Sequence, residues 1–228
     1  MESPIKIDGL DLKKLVERVK EIQLETPTGK KLIILLAGVP GSGKSTLSCK
    51  VVKLLNEEHN IKSLVLPQDG YHLYRSELAQ MPDPEEAITR RGAPFTFNAD
   101  AFLKTVRLLN DPTSSSEVIR APSFDHKLKD PIEDDIKIDP DTKVVFIEGN
   151  YVLLKDPGWC ELVDIADDSW FVTANKNLIR NRIIKRHLEA GIASNEQEAI
   201  DRADGSDLKN AKYIEENLFV PQILIQNN

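Results

Sequence analysis

Eight consecutive residues, Gly38-Val39-Pro40-Gly41-Ser42-Gly43-Lys44-Ser45, carry the clearest chemistry in this chain. They fit G-x-x-x-x-G-K-[ST], a spacing with a physical reason. Glycines let consecutive backbone N–H groups turn inward and form an anion nest. A helix that starts there adds its positive end. Lys44 supplies a point charge to β- and γ-phosphates, and Ser45 a hydroxyl to Mg²⁺. The octet therefore reads as a nucleoside-triphosphate site rather than a plain glycine-rich turn. Two carboxylates occupy comparable places, each after an apolar run. Asp69 follows Ser63-Leu64-Val65-Leu66-Pro67-Gln68, and Glu148 follows Lys143-Val144-Val145-Phe146-Ile147. Ligands of open α/β sheets bind beyond the carboxyl ends of strands. Asp69 is thus a candidate general base, although Asp69-Gly70 also suits an ordinary turn. Beside a phosphate loop, a strand-end acid such as Glu148 helps to hold Mg²⁺.

Weaker candidates surround these. Tyr71 and His72 either line a pocket next to Asp69 or simply pack. Arg90 and Arg91 stand in Arg-Arg-Gly-Ala-Pro, where planar guanidinium forks suit a carboxylate or phosphate, or form a solvated pair on a loop. His126 ends Ala121-Pro122-Ser123-Phe124-Asp125-His126; a lone histidine is more often structural than functional.

These residues need strands and helices in alternation to meet. The apolar run Leu32–Ala37 predicts a buried strand ahead of the phosphate loop, with a helix from Lys44 to about His59 after it. Further strands are expected at 63–67, 143–147 and 168–172, with a last one ending near Ile225. Asp8 is expected to cap a helix over about 9–24 with an apolar stripe from Leu10 to Leu24. That stripe either pairs two subunits into a homodimer or caps the sheet. Asn98 caps a helix to about Asn110, Ile132, Ile136 and Ile138 suggest a short edge strand, and 111–116 reads as a linker. Asn175 to about Glu189 is a basic helix stopped by Gly191. With its following turn, to about 204, it is expected to form a lid over phosphates. The alternation implies a doubly wound, mostly parallel sheet flanked by helices, in a single 1–228 domain with 1–30 as an N-terminal helical extension.

Composition narrows the partners. Thirty-seven acidic against thirty basic side chains leave a net charge of -7, with no Lys/Arg block, so nucleic acid is not an expected partner. No apolar run approaches membrane-spanning length, and the N-terminus has no signal-peptide pattern. Cys49 and Cys160 provide neither a disulfide framework nor metal-ligand spacing. The expectation is a soluble cytoplasmic protein acting on a small molecule.

The phosphate loop, together with Leu66-Pro67-Gln68-Asp69-Gly70-Tyr71-His72, Arg90-Arg91-Gly92-Ala93-Pro94, Ala121 to His126 and Phe146-Ile147-Glu148-Gly149-Asn150-Tyr151, resembles the phosphoribulokinase/uridine kinase family, which includes pantothenate kinase. The resemblance runs from about residue 31 to 225. It implies the P-loop kinase fold and ATP-dependent phosphorylation of a small-molecule hydroxyl, with ATP and Mg²⁺. Under it, Gly38 to Thr46 bind the triphosphate, Asp69 is the general base, Glu148 serves Mg²⁺, His126 touches the acceptor and Arg186 is the lid arginine. One departure bears on the acceptor. Uridine kinases carry N-F-D-H-P, whereas this chain has Arg91-Gly92-Ala93-Pro94, closer to the R-K-G-F-P of pantothenate kinase. Arg90 and Arg91 therefore point to an anionic acceptor, with a uridine or nucleoside kinase as the alternative. A regulatory GTPase would need Asp at position 178 to complete N-K-x-D, and the residue there is Leu178. An ATP-binding or ATP-hydrolysing regulatory module remains the alternative of another class.

Overall fold

The computed structural model describes residues 3–114 and 116–228; Ser115, in the expected linker, lies outside them, as do Met1 and Glu2. The main sheet contains β1 (Ile5–Asp8), β2 (Leu32–Gly38), β3 (Ser63–Pro67), β6 (Val144–Gly149), β7 (Asp168–Thr173) and β8 (Ile223–Gln226). A separate antiparallel hairpin is formed by β4 (Ile119–Asp125) and β5 (Asp130–Ile138). The helices are α1 (Leu12–Glu25), α2 (Lys44–Glu58), α3 (Arg75–Leu78), α4 (Pro84–Thr89), α5 (Ala99–Asn110), α6 (Leu162–Ile165), α7 (Lys176–Glu189), α8 (Glu196–Arg202) and α9 (Leu208–Asn217). The sheet is parallel throughout, in the order β1-β8-β7-β2-β6-β3.

Strand β2 is central and buried on both faces. Side chains alternate along a strand, so Leu32, Ile34 and Leu36 enter one core with α1 and α2, while Ile33, Leu35 and Ala37 enter the other. That double burial is why a parallel strand reads as a continuous apolar run. Each fully buried Leu or Ile contributes about 1.5–3 kcal/mol, so the strand bearing the phosphate loop is among the most firmly held parts of the molecule.

The crossover from β2 to β3 passes over β6, while the one from β6 to β7 passes over β2. The connections therefore part between β2 and β6, which opens a crevice beyond their carboxyl ends. Register places Glu148 beside Leu36 on one neighbour and Pro67 on the other. The phosphate loop, Glu148 and Asp69 thus leave three adjacent strands at one edge.

The N-terminal segment departs from expectation. Residues 5–8 form an edge strand against β8, and the helix starts at Leu12 under an Asp11 cap rather than an Asp8 cap. Its stripe is spent on the sheet: Leu15, Val16 and Val19 are buried, and Arg18 Nε donates to the buried Asp168 at 2.9 Å. Leu10 and Leu24, assigned to the same stripe, are exposed. The helix caps the sheet with the central residues of that stripe. The expected edge strand at 132–138 is present within β5. It pairs with β4 in the hairpin, not with the main sheet.

Candidate active site

The phosphate loop closes as its spacing requires. Gly41 and Gly43 have φ of +78° and +87°, conformations an L-residue adopts only with strain. Gly43 caps α2 at its N-terminus. Ser42 is fully buried, and its Oγ has no partner among the described residues. Lys44 Nζ lies 3.8 Å from Glu148 Oε1, both side chains being largely buried.

Glu148 is a buried acid at the end of β6. Burial pushes its carboxyl above the usual range; Lys44 and the Ser45 hydroxyl pull it down, while the neighbouring Asp69 pushes it up. Lys44, Ser45 and Asp69 thus all act on the Glu148 carboxyl. Among the described residues no three His, Cys, Asp or Glu side chains form a ready-made metal cage. Mg²⁺ takes one or two protein oxygens and completes its shell with phosphates and water. Ser45 and Glu148 are the oxygens that fit. Asp69 sits in a 3₁₀ turn, Gln68–Tyr71, directly after β3. It is exposed, and its carboxylate has no hydrogen-bond partner among the described residues.

Gln68 ties that turn to β6. It is buried, and its Oε1 accepts from Tyr151 N at 3.0 Å. The approach is possible only because residue 149 is glycine: a Cβ there would lie 2.1 Å from Oε1. The other side of the turn rests on the hairpin, where a Cβ on Gly70 would meet the Pro122 carbonyl oxygen at 2.1 Å. The base candidate is thus held from both sides by backbone-close packing.

The acceptor-side candidates divide. His72 faces Phe97 at 4.0 Å and Phe124 at 4.8 Å, with Nδ1 2.8 Å from the Asp69 carbonyl. Burial lowers its pKa, against a partial opposing pull from Asp69. His126 is exposed at the hairpin turn, edge-on to Phe124 at 5.3 Å. The structure therefore brings His72 and His126 together on one aromatic wall. Tyr71 is corrected: it is a core residue, its ring packs on Phe102 at 4.8 Å, and burial pushes its hydroxyl up to about 12. Arg91 is corrected as well. Its guanidinium donates to the carbonyls of Lys129 and Leu73 and to Asp130 Oδ1, and it stacks on Phe124. It braces the hairpin and has little left for a ligand. Arg90 is exposed, in an i,i+4 pair with Glu86 at 2.9 Å.

Comparison with known proteins agrees with this geometry. Residues 33–196 match the Phosphoribulokinase / Uridine kinase family. The chain belongs to that family. A Schizosaccharomyces pombe relative, provisionally named a uridine kinase, is 38% identical over 198 residues, covering 86% of this chain and 83% of its own. An ATP-dependent kinase-like protein from Aspergillus versicolor is 41% identical over 161 residues, covering 70% and 94%. Among solved structures, a protein from Silicibacter sp. TM1040, provisionally named a fructose transport system kinase, is 32% identical, with a TM-score of 0.83 over 93% of this chain and 98% of that one.

As a member of this kinase family the chain is an ATP-dependent P-loop kinase, and the structure holds Arg186 away from the phosphate loop. Arg186 reaches Asp207 at 3.6 Å and is half exposed. Arg182 instead lies on the phosphate loop, its Nη1 3.5 Å from the Gly41 carbonyl and 3.1 Å from that of Asn227. Helical period is the signal that was available: Arg182 is one turn nearer than Arg186 to the α7 start, beside the carboxyl end of β7. The arm that follows α7 is knitted by Arg180 with Asp204 and by His187 with Asp207 at 2.7 Å, through a π-helical turn at Ala203–Asp207. Among the described residues no helix is long and apolar enough to cross a membrane.

Proposed function

We propose that the chain transfers the γ-phosphoryl group of ATP to a hydroxyl of a small-molecule acceptor. The observation that carries this reading is the unpartnered, exposed Asp69 carboxylate one strand away from the buried Lys44–Glu148 pair. Asp69 orients the acceptor hydroxyl and takes its proton as the new P–O bond forms. Lys44 and the N–H groups of residues 41–46 hold the phosphates and offset the charge that accumulates on them. Ser45 and Glu148 would hold Mg²⁺, which when bound neutralises charge on the phosphates. The 175–204 arm closes over the phosphates and excludes water.

The acceptor lies against the His72–Phe124 wall. We infer an anionic acceptor, and Arg90 is the side chain left to read its charge. Its exposed pair with Glu86 is worth at most about 1 kcal/mol, so an anion can displace the partner at little cost.

ATP consumption with a panel of sugar acids, sugar phosphates, pantothenate-like acids and nucleosides tests the reading, together with Asp69→Asn. Loss of a general base should lower kcat by about 10²–10⁴-fold and leave ATP affinity unchanged. Equal losses in kcat and ATP affinity would sink the base role of Asp69, and ATP hydrolysis indifferent to every acceptor would sink transfer to an acceptor hydroxyl. Turnover of uridine as fast as any anion would remove the anionic-acceptor proposal alone.

A further inference from the structure

The last strand ends on the phosphate loop. Asn227 Nδ2 donates to the Ser42 carbonyl at 2.7 Å. The side-chain atom facing a carbonyl must be the NH₂ group, so the amide orientation is set by chemistry. The asparagine is itself fixed: its N–H donates to the Thr173 carbonyl at 2.8 Å, and the Gly9 N–H donates to the preceding Gln226 carbonyl at 2.7 Å. Arg182 spans the Asn227 and Gly41 carbonyls. The contact is also fitted sterically. A Cβ on Gly43 would lie 2.3 Å from Asn227 Nδ2, and one on Gly9 would lie 2.9 Å from Oδ1.

Peptide units are planar and trans. Holding the Ser42 carbonyl outward therefore turns the Gly43 N–H the opposite way, into the cradle where an anion nest needs it. Two glycines, 34 positions apart in the sequence, leave room for one amide side chain 184 residues beyond the nearer of them. We propose that Asn227 is a positioning residue of the nucleotide site: it locks the Ser42–Gly43 peptide in the phosphate-binding orientation, with Arg182 as the second clamp. This rests on the nucleotide-site reading of residues 38–46. It also assigns the N-terminal segment a task, since β1 and Gly9 hold the strand end that bears Asn227.

The test is calorimetry of the full chain with two probes, Mg-ATP and Mg-tripolyphosphate, for the unaltered protein, Asn227→Ala, Asn227→Asp and Lys44→Ala. Asn227→Asp keeps the shape but removes the donor. Both Asn227 variants should bind ATP and tripolyphosphate about tenfold more weakly, equivalent to about 1.4 kcal/mol, with thermal midpoints close to the parent. ATP binding at parental strength in both variants overturns the proposal. So does weaker ATP binding with tripolyphosphate unaffected, which would place Asn227 on the base rather than on the cradle. A fall in thermal midpoint that accounts for the whole loss would make the contact merely structural and overturn it too. If Lys44→Ala binds Mg-ATP as the parent does, the nucleotide-site reading fails and takes the proposal with it.

Discussion

Replacing Gly149 by alanine should damage both the fold and the site, because Gln68 occupies the space the new methyl needs. The added Cβ would sit 2.1 Å from Gln68 Oε1, 2.9 Å from Cδ and 2.5 Å from Cβ. A rotamer change can move Oε1 and Cδ but not Cβ, so the β3 or β6 backbone must also shift. Overpacking of this kind costs about 1–3 kcal/mol. Displacing Gln68 also strips the Tyr151 N–H of its acceptor, and an unpaired buried donor costs about 1–3 kcal/mol. A total of about 3 kcal/mol should lower Tm by about 6–12 °C in a chain of this size. Urea unfolding followed by circular dichroism measures it, with a lower midpoint at unchanged m-value expected. Gln68→Ala alone should lose the Tyr151 contact. In the double variant the Oε1 and Cδ clashes are gone and the Tyr151 loss is counted once, while the Cβ contact stays, so the combined loss should fall short of the sum by about 1 kcal/mol or more. An unchanged midpoint in Gly149→Ala, or additivity within about 0.5 kcal/mol, would refute the reasoning that Gln68 staples the Asp69 turn to the Glu148 strand.

Three further outcomes are expected. In Gly70→Ala the methyl meets the Pro122 carbonyl group rather than a movable side chain; stability should drop by about 3 kcal/mol in urea, and kcat should fall with it as Asp69 is displaced. Glu148 binds a proton more tightly in the folded chain than in the unfolded one, chiefly through burial. The unfolded chain therefore releases that proton first, and this group's contribution to stability declines as pH rises from the ordinary carboxylate value through the raised one. Glu148→Gln should lack that decline, so the stability difference between variant and parent should grow across the window and then level off; a flat difference contradicts the burial of the charged carboxylate. Finally, Arg182→Ala should weaken ATP binding by about tenfold, as loss of charge-assisted contacts does, whereas Arg186→Ala should change it by less than about twofold, checked in the same titrations.

Much of the site was readable in linear order because its chemistry is local. Glycine spacing, the following lysine and serine, and acids after apolar runs each report on a few adjacent residues. The acceptor side was less readable. Arg91 looked like an anion receptor from its type and neighbours, but Asp130, thirty-nine positions away, takes its fork. Tyr71 lay in the right segment, yet its face is set by packing on Phe102 rather than by proximity to Asp69. The first strand was missed because four residues with only Ile7 buried leave almost no periodic signal, and β8 supplies its pairing from the far end of the chain.

From residue order alone came the phosphate loop, the two strand-end carboxylates, the alternation that demands a parallel α/β sheet and the kinase resemblance. Each depends on contacts within about ten residues or on a periodicity that survives without coordinates. Only the folded chain decided that α1 caps the sheet, that the 132–138 strand belongs to a hairpin, that Arg182 rather than Arg186 meets the phosphate loop, and that Asn227 closes on Ser42. Those are contacts between groups far apart in sequence, chosen by which surfaces a twisted sheet brings together, and side-chain type carries no record of its partner.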